Sequence, residues 1–233
     1  MKFSIIIPCY NESKNIPLIL EKFSKIIHRP DIEVLLVNNG SQDNTAEVLN
    51  ELIPKHSFSK AMTIDKNIGY GNGIISGLCE AKGEFLAYTH ADLQTDPGDL
   101  LKAFKIIDEN LNSSKCFVKG NRKGRPFFDQ FFTTGMSFFE SIYLREWLWD
   151  INAQPNVFHK NFFNDIKSRC PFDFSLDLFF LYMAKKNKLE IKRFNVEFPK
   201  RIHGTSSWND GISSKWKFIK RTLEYSFKLK NEL

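Results

Sequence analysis

Short apolar runs that break into polar loops set the rhythm of the chain. Phe3–Ile7, Ile32–Val37, Ala61–Ile64 and Phe85–Tyr88 have the length and bounds of strands. Between them, Asn15–Ile27, Thr45–Ile53, Gly73–Ala81 and Pro97–Glu109 carry the wider apolar spacing of helices. Asp96 is placed to cap the last of these, with Pro97 in its first turn. Strand and helix in strict alternation, with short connections, predict a parallel sheet with right-handed crossovers. After a further strand at Cys116–Gly120 the pattern becomes mixed. An aromatic helix, a short strand at Asn156–His159, a helix near Leu176–Lys186 and a strand at Glu190–Glu197 follow. No linker, repeat or low-complexity segment interrupts them. The expected architecture is one α/β domain.

Polar residues gather where the strands end. Thr89-His90-Ala91-Asp92-Leu93-Gln94-Thr95-Asp96-Pro97 follows the fourth strand and packs an imidazole, an acid and an amide into one loop. In open α/β sheets, ligands bind at the carboxyl ends of strands. Oxygen-rich donors there suit Mg²⁺ or Mn²⁺ beside a phosphate-bearing substrate. Ser4-Ile5-Ile6-Ile7-Pro8-Cys9-Tyr10-Asn11-Glu12 ends the first strand in the same way. Val34-Leu35-Leu36-Val37-Asn38-Asn39-Gly40 ends the second, and Asn67-Ile68-Gly69-Tyr70-Gly71-Asn72-Gly73 opens a helix on glycines.

Four such motifs in this order resemble glycosyltransferase family 2, in particular the polyprenyl-phosphate sugar transferases of the dolichyl-phosphate mannose synthase type. The likeness runs from about Phe3 to Trp208. It implies a GT-A fold, a Rossmann-like nucleotide-diphospho-sugar domain with a mostly parallel sheet, over residues 1–210. A basic amphipathic helix at 211–233 is expected to pack on it. The resemblance places Pro8, Tyr10, Glu12, Asn39, Gly69, Ala91, Asp92, Gln94, Gln154 and Arg201 around the nucleotide-sugar. Asp92 and Gln94, with His90 beside them, would hold the metal, Mn²⁺ or Mg²⁺, which we expect to arrive with the nucleotide. Gly120-Asn121-Arg122-Lys123-Gly124-Arg125 resembles the family's Gly-Ser-Arg segment. Arg122, Arg125 and Ser206 are expected at the acceptor phosphate, since arginine forks match phosphate oxygens. Arg201 lies in a loop resembling Arg-x-x-Gly-x-Ser-Lys-Trp and is expected to neutralise the diphosphate. Asp92, Arg122, Arg201 and Asp177 make up the expected catalytic set. Asp177 serves as a base only if the acceptor is a hydroxyl, because a phosphate acceptor needs none.

Several positions depart from the family pattern, Ser207 in place of the lysine in the last loop among them. His90 stands where an acid is usual, and Asn38-Asn39 replace an acidic pair. An amide donates as well as accepts, so Asn39 can still read a base edge, with altered preference.

Charge and aromatic content shape the expected acceptor. Of 233 residues, 23 are Phe, and the net charge is +6. Eight basic and two acidic residues between Pro199 and Lys230 account for that whole excess. A basic tail suits an anionic partner, and no nucleic-acid recognition motif accompanies it. Phe131 to Trp149 is rich in aromatics, while charges at Glu140, Arg145 and Glu146 exclude a buried span. The N-terminus enters a strand at once, without a signal-peptide pattern, and the four scattered cysteines read as reduced thiols. The expectation is an inverting enzyme, peripheral at the cytosolic membrane face, that moves a sugar from a nucleotide-diphosphate sugar to a polyprenyl phosphate. Two other readings stay open: extension of a glycan at a hydroxyl, and a non-catalytic nucleotide-sugar-binding module.

Overall fold

The computed structural model describes residues 1–125, 127–199 and 212–231, with side chains 127, 129 and 212–218 outside the description. Seven strands form one sheet in the order β3-β2-β1-β4-β6-β5-β7. They are β1 (Phe3–Cys9), β2 (Ile32–Asn39), β3 (Ser59–Ile64), β4 (Phe85–Tyr88), β5 (Cys116–Lys123), β6 (Asn156–His159) and β7 (Glu190–Glu197). Helices α1 (Ile16–Ile26), α2 (Thr45–Leu52), α3 (Tyr70–Glu80) and α4 (Gly98–Asp108) connect the first five strands. Helix α4 begins at Gly98, one residue later than the Asp-Pro signal suggests, with Pro97 at its cap position. Asp96 still accepts from the Asp99 amide through its carbonyl.

Alternation along the strands divides the core in two. Phe3, Ile5 and Ile7 of β1, with Val34 and Leu36 of β2, face one layer that α1 and α4 cover. Ile6, Leu35, Val37, Leu86, Tyr88 and Phe158 face the other, covered by α3 and by helices α6 (Lys160–Ile166) and α7 (Leu176–Lys186). Both faces are buried, which is why these strands read as continuous apolar runs.

Two features of the sheet position the site. The chain reverses its direction of growth between β1 and β4, which pair in parallel. The carboxyl ends of those two strands therefore flank the crevice in which such sheets bind ligands. Strand β6 runs antiparallel to both of its neighbours, β4 and β5. Its amino end, Asn156, pairs with Tyr88, the last residue of β4. Residues just before β6 are thereby delivered to the same edge as the loop after β4.

Helix α5 (Phe127–Leu144) is built inside out. Phe128, Phe131, Phe132, Phe138, Phe139 and Ile142 are exposed, and at 100° per residue they occupy an arc of about 120°. Ser137 and Glu140 are buried on the opposite side. Helix α8 (Ile212–Asn231) packs against that polar side: Ser226 donates to Glu140 Oε2 at 2.5 Å, and Leu229 enters the core. Phe227 meets the Tyr143 ring edge-on at 5.0 Å and remains half exposed.

Glu140 is fully buried, its Oε1 has no hydrogen-bond partner, and burial pushes its carboxyl up to about 7. The native state therefore holds the proton more tightly than the unfolded chain between about pH 4.5 and 7, and stability falls as pH rises through that window. Glu140→Gln keeps an acceptor for Ser226 and removes the charge. It should raise unfolding stability by about 1–3 kcal/mol at pH 8 and leave it nearly unchanged at pH 4.5, as read by thermal unfolding at the two pH values.

Candidate active site

The loop after β1 is stitched to the loop after β2. The Asn11 amide donates to Ser41 Oγ at 3.0 Å, and the Gln42 amide donates to Asn11 Oδ1 at 2.8 Å. Asn11 adopts φ 57°, a left-handed turn that asparagine tolerates, and this leaves Tyr10 43% exposed over the crevice. Glu12 receives the Asn15 amide on Oε2 at 2.6 Å and anchors its backbone N–H on Thr45 Oγ1 at 3.0 Å. Pro8 lies opposite Val37, one residue before the pairing of β1 with β2 ends at Cys9 and Asn38.

After β4, Leu93 takes φ 58° and turns into the core, with 4% of its surface exposed. That turn lets the Gln94 amide donate to Asp92 Oδ1 at 3.0 Å. Ala91 and Asp92 are buried at the crevice wall, and the Gln94 side chain donates to the Pro199 carbonyl at 3.0 Å. His90 stacks on Tyr70 with ring centroids 5.6 Å apart, and Tyr70 stacks in turn on Phe174 at 4.7 Å. Among the described residues, no group of three His, Cys, Asp or Glu side chains forms a metal cage. The donor chemistry is one carboxylate with an imidazole and an amide close by in sequence. It fits a hard cation that takes its remaining oxygens from a diphosphate, as Mg²⁺ commonly does.

Asn39 does not sit as the sequence suggests. It is 2% exposed and donates through Nδ2 to the Gly69 carbonyl at 3.0 Å, while its Oδ1 is buried without a partner. Its amide is held by the chain. At Gly69, φ is 142° and a side chain there would lie 2.1 Å from the Phe172 carbonyl oxygen. The glycine permits a close approach to the chain's own segment before α7. This contact also moves the start of α3 to Tyr70, three residues ahead of the expected Gly73.

Arg122 is paired within the chain. Its guanidinium and its backbone N–H both donate to Asp150, the Nε contact being 2.8 Å, and the two side chains are 7% and 9% exposed. Burial opposes ionisation of Asp150, but Arg122 prevails and holds the carboxyl below its usual range. The pair supports the loop after β5. Arg125 donates to Thr133 Oγ1 of α5 at 2.8 Å and sits over the Phe198 ring. Arg201 and Ser206 lie outside the described residues.

Gln154 and Asp177 meet beneath the crevice. Asp177, in the first turn of α7, is 3% exposed, and its Oδ1 accepts from Tyr88 Oη at 2.8 Å, Gln154 Nε2 at 2.8 Å and Asn156 Nδ2 at 3.3 Å. Three donors engage that one oxygen, so Asp177 anchors Gln154, Asn156 and Tyr88 at the floor of the crevice. The sequence reading overlooked Lys119, Asp150 and Tyr70. Lys119 did leave a signal: it is a lone charge inside the apolar run Cys116-Phe117-Val118. Burial pushes its ammonium down to about 7.

Comparisons with known proteins bear on the family and the fold. Undecaprenyl-phosphate 4-deoxy-4-formamido-L-arabinose transferase of Yersinia enterocolitica is 32% identical over 115 residues, which are 48% of this chain and 35% of the relative. The Serratia proteamaculans protein of the same name is 31% identical over 126 residues, 52% of this chain and 38% of the relative. The match thus spans little more than a third of the length of these curated relatives. Glucosyl-3-phosphoglycerate synthase of Mycobacterium tuberculosis, solved with Mn²⁺, UDP and glucosyl-3-phosphoglycerate, superposes with TM-score 0.72 at 12% identity, over 98% of this chain and 79% of that one. A mannosyltransferase of Pyrobaculum calidifontis, in complex with GDP-Man and Mn²⁺, gives 0.70 at 17% identity, over all of this chain and 64% of that one. At such identities the likeness is one of fold, the GT-A fold. The family model for glycosyl transferase family 2 matches residues 4–164, more than half the chain, and the protein belongs to that family.

Proposed function

We propose that this chain transfers a sugar from a nucleotide-diphosphate sugar to a polyprenyl phosphate, with inversion, at the cytosolic face of a membrane. The observation that carries the acceptor is helix α5. Its exposed arc from Phe128 to Ile142 is aromatic and aliphatic, and Ser137 and Glu140 point inward. Such a face is unfavourable in water and favourable at a lipid interface. Trp147 and Trp149 stack beside it, and with Phe131, Phe138 and Gly135 they line an apolar groove. Among the described residues no helix is long and apolar enough to cross a membrane. The curated relatives are named for transfer to undecaprenyl phosphate, which supports the same reading. The hydroxyl-acceptor alternative needs Asp177 as base, and its three donors argue against that.

In this reading Tyr10 and Glu12 receive the nucleotide, and Gln154 faces the sugar from the floor of the crevice. Asp92, Gln94 and His90 would hold the divalent cation, which would neutralise charge on the leaving diphosphate. Arg201 would add to that neutralisation, while Arg125 and Ser206 would bind the acceptor phosphate.

Asp92→Ala should abolish most transfer, by at least about a hundredfold, while leaving the unfolding temperature near wild type. Undiminished turnover would remove Asp92 from the cation site. The assay follows from a thermal-shift screen of GDP-, UDP-, CDP- and dTDP-sugars with Mn²⁺ or Mg²⁺, then transfer to undecaprenyl phosphate.

Arg122→Ala behaves differently from a phosphate ligand. It leaves Asp150 buried and uncompensated, so unfolding stability should fall by roughly 3–5 kcal/mol. A stable variant that lost only activity would return Arg122 to the phosphate site.

The lipid face is tested by flotation with anionic vesicles. Wild type should float at low salt. Phe131→Glu with Phe138→Glu should abolish flotation and preserve nucleotide-sugar binding, because both side chains already lie in solvent. Flotation unaffected by the pair would move the membrane contact away from α5.

A further inference from the structure

We propose that Lys119 is a positioning residue that sets the donor direction of the Asn156 and Gln154 side-chain amides toward Asp177. The proposal rests on the reading above, in which Gln154 faces the donor sugar.

The geometry forms a chain with one polarity. Lys119 extends from β5 with no exposed surface, and its Nζ donates to the Ala153 carbonyl and to Asn156 Oδ1, each at 2.7 Å. As an ammonium it has three donors and no acceptor. The Asn156 atom that meets it must therefore be the carbonyl oxygen, which turns Asn156 Nδ2 the other way. That nitrogen donates to Gln154 Oε1 at 2.7 Å. With its oxygen so occupied, Gln154 directs Nε2 to Asp177 Oδ1 at 2.8 Å, and the Tyr70 hydroxyl lies 3.5 Å from the same nitrogen. Each amide could rotate end for end at little steric cost. A group that presents donors to Asn156 Oδ1, at one end, and a carboxylate that accepts from Gln154 Nε2 and Asn156 Nδ2, at the other, fix both together.

The backbone is shaped to admit this contact. A side chain on Gly120 would lie 2.1 Å from the Gln154 carbonyl oxygen, and the Gly120 amide donates to the Pro155 carbonyl at 3.1 Å. The bare glycine brings β5 against the Ala153–Asn156 turn, within reach of the preceding lysine. The charges near Lys119 are Asp177 and Asp150, which favour its proton, and Arg193 and Arg122, which oppose it. A hydrophobic residue at this place in β5 would satisfy packing. It would leave Asn156 Oδ1 without its Lys119 donor and the Ala153 carbonyl with only the longer 3.4 Å contact from Asn156 Nδ2, so the amides would be held from the Asp177 end alone.

The experiment compares Lys119→Met, which keeps length and removes the donor, with Lys119→Gln, whose carboxamide can donate to both acceptors without charge. Steady-state transfer uses the active donor from the nucleotide-sugar screen and undecaprenyl phosphate. Lys119→Met should lower kcat at least tenfold or so with donor KM within about threefold, and Lys119→Gln should recover most of that loss. In ¹⁵N spectra of the full chain, the side-chain amide pairs of Asn156 and Gln154 should be sharp and slowly exchanging in wild type. They should be broadened in Lys119→Met and restored in Lys119→Gln. Asn156→Asp, with Lys119 in place, should also reverse Gln154 and match the kcat loss of Lys119→Met, and this variant decides the matter if Lys119→Met does not fold. Equal rates in wild type, Lys119→Met and Asn156→Asp, or amide signals unchanged in the variants, would overturn the proposal. A wild-type protein that transfers nothing would instead overturn the reading of its function, and the spectra would still decide the role of Lys119.

Discussion

Strand β6 is the constraint on which the rest of the site depends. It is inserted antiparallel between two strands that share a direction. A parallel strand in that place would bring its carboxyl end, and a different loop, to the crevice. The reversed strand brings its amino end, so Gln154 and Asn156 arrive beside Tyr88. Three buried polar side chains, Asn156, Gln154 and Asp177, then need partners in a region where an unpaired group costs about 1–3 kcal/mol. Lys119 and Tyr88 supply the missing donors. The buried polar floor is thus a consequence of strand direction, and it is satisfied from the sheet itself, before any ligand binds.

The same logic explains the second half of the molecule. Helix α5 directs Ser137 and Glu140 inward, where a soluble helix would bury its phenylalanines. Ser226 of α8 satisfies one Glu140 oxygen, and the core takes up Leu229. Helix α8 therefore covers the polar face of α5 and pairs one of the two Glu140 oxygens, while α5 presents its apolar face outward. Arg125 ties the strand-end loop after β5 to Thr133 on α5, linking that outward face mechanically to the crevice.

Much of the fold was legible because both sheet faces are buried. Apolar runs such as Ser4–Ile7 and Val34–Val37 admit little except a covered strand, and their polar ends mark the crevice. The position of α3 was harder to read. Its glycines mark a helix start, and Gly69 and Gly71 make a close approach to Phe172, a hundred residues away in sequence. The pairing of Arg122 was hidden for a related reason. An arginine at a strand end looks available for phosphate until Asp150 is folded against it, and nothing local to either residue announces that pairing. Lys119 did leave a local trace, a charge in an apolar strand, but its partners come from the turn before β6.

The departures from the family's acidic pattern now separate into two kinds. At Asn39 a carboxylate would face the Gly69 carbonyl across 3.0 Å, an arrangement of two acceptors. The amide donates there, so it holds the glycine turn and with it the segment before α7. Asn38 likewise serves the fold, since its Oδ1 accepts the Ser41 amide at 3.1 Å and closes the loop that meets Asn11. These two substitutions therefore carry structure, and they are poor evidence for a degenerate, non-catalytic site. His90 is different. Its ring lies on Tyr70, whose hydroxyl approaches Gln154, so it belongs to the crevice wall. In the proposed reading, with one carboxylate where two are usual, a cation would take its remaining oxygens from the diphosphate and so would enter with the nucleotide-sugar. The polar floor of Gln154, Asn156 and Asp177 is set before either arrives.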